Sequence, residues 1–173
     1  MTSQLMRDQV QDHLLTPKNS MLIIIDYQPV QVSSVASMDR RTLVSNITVV
    51  AKTSQLFGLP VVLSTVNIKT GLNAPTIHQL MEVLQGVEQL DRTTINAWED
   101  EQFVGAVKAT GRKKLIMTAL WTEICLCLPA LDALSEGYDV YPVVDAVGGT
   151  SVEAHQTGLQ RMSQAGAWLT SWT

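Results

Sequence analysis

Two cysteines, Cys125 and Cys127, stand two residues apart in the apolar stretch ALWTEICLCLPALDAL, which runs from Ala119 to Leu134. A thiol in such a place is either small core filler or a nucleophile. With Thr122 as the N-cap of a helix, Cys125 takes the N3 position. Free backbone N–H groups and the helix dipole favour thiolate there. Cys127 lies half a turn further along, away from those donors. Asp26 ends the apolar run MLIIID. A carboxylate at such a place is partly desolvated and suits a general base, though the same position also suits a loop-anchoring Asp. Arg92 can pair with Asp26 or grip an anionic substrate. A reactive thiol, a general base and a cation are what these three residues could supply, if they are more than core filler, a loop anchor and a solvated arginine.

Such parts are useful only if secondary structure brings them together. Met21 to Tyr27 reads as a strand covered on both faces, as does Leu59 to Val66. Asp39 to Phe57 has helical apolar spacing and is stopped by Gly58. Pro75 can open a helix through Leu84, followed by a short apolar stretch from Val87 to Leu90 and the loop RTTINAW. Glu99 to Thr110 reads as a helix, Lys114 to Leu120 as a third buried strand, and Thr122 to Glu136 as a helix. Pro129 should bend that last helix just after Cys125, because its ring clashes with the carbonyl four residues back. Asp139 to Asp145 is a fourth strand, Val152 to Gln164 a helix, and Trp168 to Trp172 a final strand.

Strands alternating with helices predict an α/β fold of three layers, α/β/α, around a mostly parallel open sheet. Residues 1–173 read as one domain, with residues 1–19 as an N-terminal extension. Right-handed crossovers place every strand's C-terminal end on one edge, where ligands bind. Asp26, Gln28, Asn67 and the segment from Trp121 to Cys125 fall there, and the loop carrying Arg92, Asn96 and Trp98 can reach it. Gln28, Asn67, Asn96 and Trp98 are the expected substrate-pocket residues. Lys113 and Lys114 start a strand, about 20 Å from that edge at roughly 3.3 Å per residue.

Composition excludes several classes. The 173 residues are 46% hydrophobic and only 16% charged, which suits a full core and burial of some surface against further copies as a homo-oligomer. A net charge of −4 and a single short basic run, Arg112 to Lys114, argue against nucleic acid. No apolar run approaches the ~20 residues of a membrane span, and Asp8 and Asp12 interrupt any signal-peptide core. Two reduced cysteines fit a cytoplasmic protein. His13, His78 and His155 are scattered, without metal-ligand spacing, and no phosphate-binding glycine motif occurs. The expectation is therefore a small-molecule substrate with no metal and no cofactor.

The blocks MLIIIDYQ, RTTINAWEDEQFVGAVKATGRKKLIM and TEICLCLPALDALSEGYDVYPVVDAVGGTS, with RMSQAGA after them, follow one another in a characteristic order. From Ser20 to Trp172 the chain resembles the isochorismatase-like cysteine hydrolases, within them the YcaC-related branch. The resemblance implies that the T-x-x-C motif, Thr122 to Cys125, selects Cys125 as nucleophile and Asp26 as base. It implies an oxyanion hole from the backbone N–H groups of Trp121 and Cys125, with a cis peptide between Leu120 and Trp121. The third residue of the family is normally Lys; this sequence offers Arg92, with Lys69 as an outside candidate. The Asp-x-His group of metal-binding nicotinamidases is absent from TVNIKTG, and the vinyl-ether-cleaving isochorismatases lack the cysteine. The implied activity is hydrolysis of a small amide-type C–N bond through a thioester. The alternative is a non-catalytic, oligomeric binding or scaffold protein that keeps the cleft.

Overall fold

A computed structural model describes residues 6–173; the first five residues of the expected N-terminal extension lie outside the described residues. Among the described residues, five strands form one sheet: β1 (Ser20–Ile25), β2 (Val61–Val66), β3 (Gln89–Arg92), β4 (Lys114–Ala119) and β5 (Asp139–Pro142). All neighbours are parallel, in the order β3-β2-β1-β4-β5. The helices are α1 (Pro29–Ser34), α2 (Arg40–Leu56), α3 (His78–Val83), α4 (Glu101–Ala109), α5 (Cys127–Ser135) and α6 (Val152–Gln164).

Period-two alternation in β1 builds the three layers. Met21, Ile23 and Ile25 pack with Phe103 and Val107 of α4 and Ala130 and Ala133 of α5. Leu22 and Ile24 face the other way, onto Leu43, Ile47 and Ala51 of α2 and Leu80 of α3. Every residue of β1 is therefore buried, which is why the strand reads as a continuous apolar run. Asp39 caps α2, its carboxylate accepting from Thr42 N–H at 2.8 Å, and Gly58 ends the turn behind it at φ 62°.

Several local elements differ from expectation. Gln89–Arg92 is an edge strand, so Arg92 ends a strand and does not lie in a loop. Its half-polar sequence, QLDR, suits an edge and lacks the apolar run of the central strands. Trp168 to Trp172 runs beside β5 and forms one bridge, Val143 with Thr170, but no strand. Helix α3 begins at His78, because Thr76 and Ile77 spend their N–H groups on Gln89 Oε1 and the Tyr27 carbonyl. The short α1 opens on Pro29 and was not apparent in the sequence pattern. Lys113 and Lys114 lie at the N-terminal edge as expected, and Lys114 Nζ donates to the His13 carbonyl at 2.5 Å. Among the described residues, no helix is long and apolar enough to cross a membrane.

Candidate active site

The chain runs outward from β1 to β3 and then returns to β4, so the direction of winding switches between β1 and β4. Open α/β sheets bind ligands at such a point. Asp26 follows β1 directly, and the turn bearing Cys125 follows β4. Asp26 is fully buried, with φ 62°, a left-handed conformation that Asp tolerates better than most residues.

Arg92 reaches this point from two strands away. With neighbouring strands about 4.8 Å apart, its side chain must pass over the end of β2. It does so on polar supports: Nη1 donates to Ser64 Oγ and to the Thr65 carbonyl, both at 3.1 Å, and Nη2 to the Ile95 carbonyl at 3.1 Å. It ends in a two-pronged pair with Asp26, Nη1 to Oδ1 and Nη2 to Oδ2, each 2.7 Å. Both partners are buried, Arg92 being 3% exposed. Burial works against the guanidinium charge, but the Asp26 hydrogen bonds and charge outweigh it, holding Arg92 above its usual range. Lys69, by contrast, is exposed on the loop after β2, and its N–H donates to Asp91 Oδ2 at 2.9 Å. Arg92 therefore partners Asp26, and Lys69 does not.

Cys125 lies in a π-helical turn, Thr122–Leu126, that precedes α5. The Trp121 carbonyl accepts from Ile124 N–H at 3.1 Å and Leu126 N–H at 3.2 Å, skipping the Cys125 N–H between them. This wide turn also resolves the conflict at Pro129. The α-helix proper starts at Cys127, so Pro129 falls in its first turn, where no N–H is needed. The expected cap differs too. Trp121 holds the N-cap position, and Thr122 Oγ1 instead pairs with His155 Nδ1 at 2.8 Å. The Leu120–Trp121 peptide is cis, as the resemblance implies.

The surroundings of the thiol act against the thiolate that its place near a helix start favours. Burial pushes Cys125 up to about 12, and the charge and hydrogen bonding of Asp26 push the same way. Arg92 and the Trp121 backbone N–H pull against this. The helix-end argument misses both raising effects because they come from distant parts of the chain. Cys127 is fully buried in the core and is likewise raised by burial, opposed by Arg161.

Three of the four expected pocket residues have structural work. Gln28 donates to the Val66 and Ala74 carbonyls at 3.1 and 2.6 Å and accepts from Val66 N–H at 3.0 Å, pinning the ends of β1 and β2 together. Asn96 caps the turn at Ala97–Glu99 through Trp98 N–H and donates to Asp132 Oδ2 at 2.7 Å. Trp98 packs edge-on against Phe103 and Tyr138, and its indole N–H donates to Glu136 Oε1 at 2.8 Å. A polar or aromatic side chain at the active edge serves the scaffold as readily as the substrate, and sequence position does not separate the two. Asn67, at φ 62°, donates its N–H to the Arg92 backbone carbonyl at 2.9 Å, and its side-chain oxygen accepts from Thr70 Oγ1 at 3.3 Å. Ser64 was overlooked. Its only sequence signal is a hydroxyl pair, Ser64-Thr65, inside a buried strand.

Helix α6 braces the Cys125 turn from behind. A Cβ on Gly158 would meet Glu123 Cα at 3.0 Å and the Thr122 carbonyl oxygen at 3.2 Å, both backbone atoms. Gly158→Ala is expected to destabilise the protein by about 1–3 kcal/mol in urea unfolding, since backbone cannot step aside. Gly105→Ala, with nothing within 4 Å of the added methyl, is the control and should gain up to ~1 kcal/mol from helix propensity. Equal effects at the two positions would contradict the brace.

Among the described residues, no group of three or more His, Cys, Asp or Glu side chains could hold a metal ion. The arrangement offers a buried carboxylate fixed by a guanidinium and, within reach of both charges, a buried thiol. The fold and the site together define a class: a three-layer α/β/α protein with an open parallel sheet and a candidate site at its switch point. The Isochorismatase domain family matches residues 20–173, and the chain belongs to that family of hydrolases. It is 35% identical over 159 residues to the probable hydrolase YcaC of Escherichia coli, covering 91% of this chain and 76% of that protein. The solved structure of that Escherichia coli protein, described as an octameric hydrolase of unknown specificity, superimposes with a TM-score of 0.87 at 34% identity, covering 99% and 80% of the two chains. YcaC from Pseudomonas aeruginosa, solved with hexane-2,5-diol and covalent acrylamide, gives the same TM-score and identity over 91% and 78%.

Proposed function

We propose that the protein hydrolyses a small amide-type substrate through a thioester on Cys125. The observation that carries this reading is the buried Asp26–Arg92 pair at the sheet's switch point, whose charges act on the buried Cys125 thiol. Asp26 accepts the S–H proton as the sulfur attacks the carbonyl carbon. The carbonyl electrons move to oxygen, and the N–H groups of Trp121 and Cys125 stabilise that oxyanion. The C–N bond then breaks, and Asp26 returns its proton to the leaving nitrogen. Water next gives a proton to Asp26 and attacks the thioester; the C–S bond breaks, and the sulfur recovers a proton from Asp26. Arg92 stays protonated throughout and fixes the carboxylate.

The covalent acrylamide on the Pseudomonas aeruginosa relative supports a reactive site of this kind that admits a small amide. The octamer of the Escherichia coli relative supports a homo-oligomer here, as do exposed Phe57 and Trp168. The free cysteines suit a reducing compartment such as the cytoplasm.

The test is turnover of a panel of small amides by wild type and Cys125→Ala, with mass spectrometry of the quenched wild-type reaction. An acyl adduct on Cys125 and loss of turnover by at least about a thousandfold in the variant are expected. Turnover that survives the substitution would remove Cys125 from the mechanism. No turnover and no adduct across the panel would favour the non-catalytic binding or scaffold reading.

A further inference from the structure

All but one of the Arg92 donors are already spent, and this bears on what the site can accept. Four N–H groups at Nη1 and Nη2 serve five acceptors: both Asp26 oxygens, Ser64 Oγ, and the carbonyls of Thr65 and Ile95. The remaining donor, Nε–H, has no partner among the described residues and is sealed from solvent. In a guanidinium this N–H lies on the side of Nη2 that faces Ile95, away from the prongs holding Asp26. One enclosed donor cannot form the two-point clasp by which arginine binds a carboxylate.

The charge balance points the same way. Asp26 and Arg92 cancel, and the reaction only moves a proton between Asp26 and the sulfur, so the site stays neutral. A substrate carboxylate would add a buried charge beside a cation that Asp26 already neutralises. Lys69 is exposed and held by its backbone on Asp91. Next to the pair stands one exposed apolar residue, Ile95, whose carbonyl accepts from Arg92 Nη2 and which is 66% exposed.

We infer that the site takes an uncharged carbonyl substrate, with its apolar arm along Ile95. This rests on the reading of Cys125 as nucleophile, and the probe reports on the two separately.

The experiment compares iodoacetamide with iodoacetate, near-isosteric electrophiles that differ in charge. Alkylation of Cys125 is followed by mass spectrometry in the folded full-length chain and in the urea-unfolded chain. Salt is held at 1 M, where screening reaches about 3 Å and the net negative charge of the protein no longer biases the result. The ratio of the two rates, amide over acid, should be at least about tenfold higher at Cys125 of the folded protein than of the unfolded one. Ile95→Lys should lower that ratio several-fold, by about the Coulomb attraction of a nearby cation. An equal or reversed ratio, with Cys125 still labelled, overturns the uncharged-substrate inference and leaves the nucleophile standing. A ratio that Ile95→Lys does not move overturns the place of the apolar arm. If neither reagent labels Cys125 in the folded protein, the nucleophile reading falls and takes this inference with it.

Discussion

Asp26→Asn is expected to move two properties of Cys125 in opposite directions: iodoacetamide labelling at neutral pH speeds up, while amide turnover collapses. Asparagine keeps the side-chain shape and tolerates the φ of 62° at this position. It removes the negative charge and the charged hydrogen-bond acceptor that help to hold the thiol up at about 12. Burial remains, and Arg92, freed of its counter-ion, favours the thiolate more strongly. Each unit by which the thiol falls multiplies the thiolate fraction tenfold at any pH below its midpoint. A gain of roughly ten- to a hundredfold in labelling rate is the expected scale. In wild type the labelling rate should keep climbing as pH rises from 7 towards 11, without a plateau. In the variant the whole profile should shift to lower pH. Turnover should fall by about 10²–10⁴, because no group remains to take the proton in the attack step or return it to the leaving nitrogen. Slower labelling in Asp26→Asn would mean that the carboxylate does not act on the sulfur.

Arg92→Met should cost the protein about 3–5 kcal/mol in urea unfolding, the penalty for leaving a buried carboxylate without its partner. Asp26 is fully buried and Arg92 is 3% exposed, so solvent cannot take over the lost role. Removing both charges in Asp26→Asn/Arg92→Met should cost much less than the sum of the two single changes, since neither charge is then stranded. Arg92→Lys is not conservative here. An ammonium keeps the charge but cannot span Ser64, Thr65, Ile95 and both Asp26 oxygens at once, so an intermediate loss is expected. A loss below about 1 kcal/mol for Arg92→Met would show that the pair is solvated and that the site is open where the structure closes it.

Much of the architecture could be read from local pattern. MLIII and VVLSTV are central strands because nothing else buries both faces of so short a run, and the spacing of Leu43, Ile47 and Val50 makes α2 one-sided. The edges were harder. QLDR has neither a full apolar run nor a clean alternation, since an edge strand is half solvated, and so Arg92 was taken for a loop residue. Trp168 to Trp172 has strand composition but pairs at only one bridge.

In the candidate site, residue types were legible and their duties were not. Asp26, Cys125 and Arg92 stood out because a charge or thiol at the end of an apolar run is rare. The polar residues Gln28 and Asn96 stood out for the same reason, yet hydrogen-bond demand inside the fold consumes them. Thr122 looked like a helix cap, but its hydroxyl goes to His155, a residue thirty-three positions away that sequence spacing left unassigned.

By itself, then, the amino-acid sequence determined the layered α/β scaffold, the active edge, and an acid, a thiol and a cation to meet there. These follow from periodicity and chain direction, which act over a few residues at a time. Only the tertiary structure decided that Arg92 crosses β2 to clasp Asp26, that the turn at Cys125 is π-helical, and that burial and Asp26 push the thiol upward. Each of these depends on burial and on partners distant in the chain, and desolvation is a property of what surrounds a group in space.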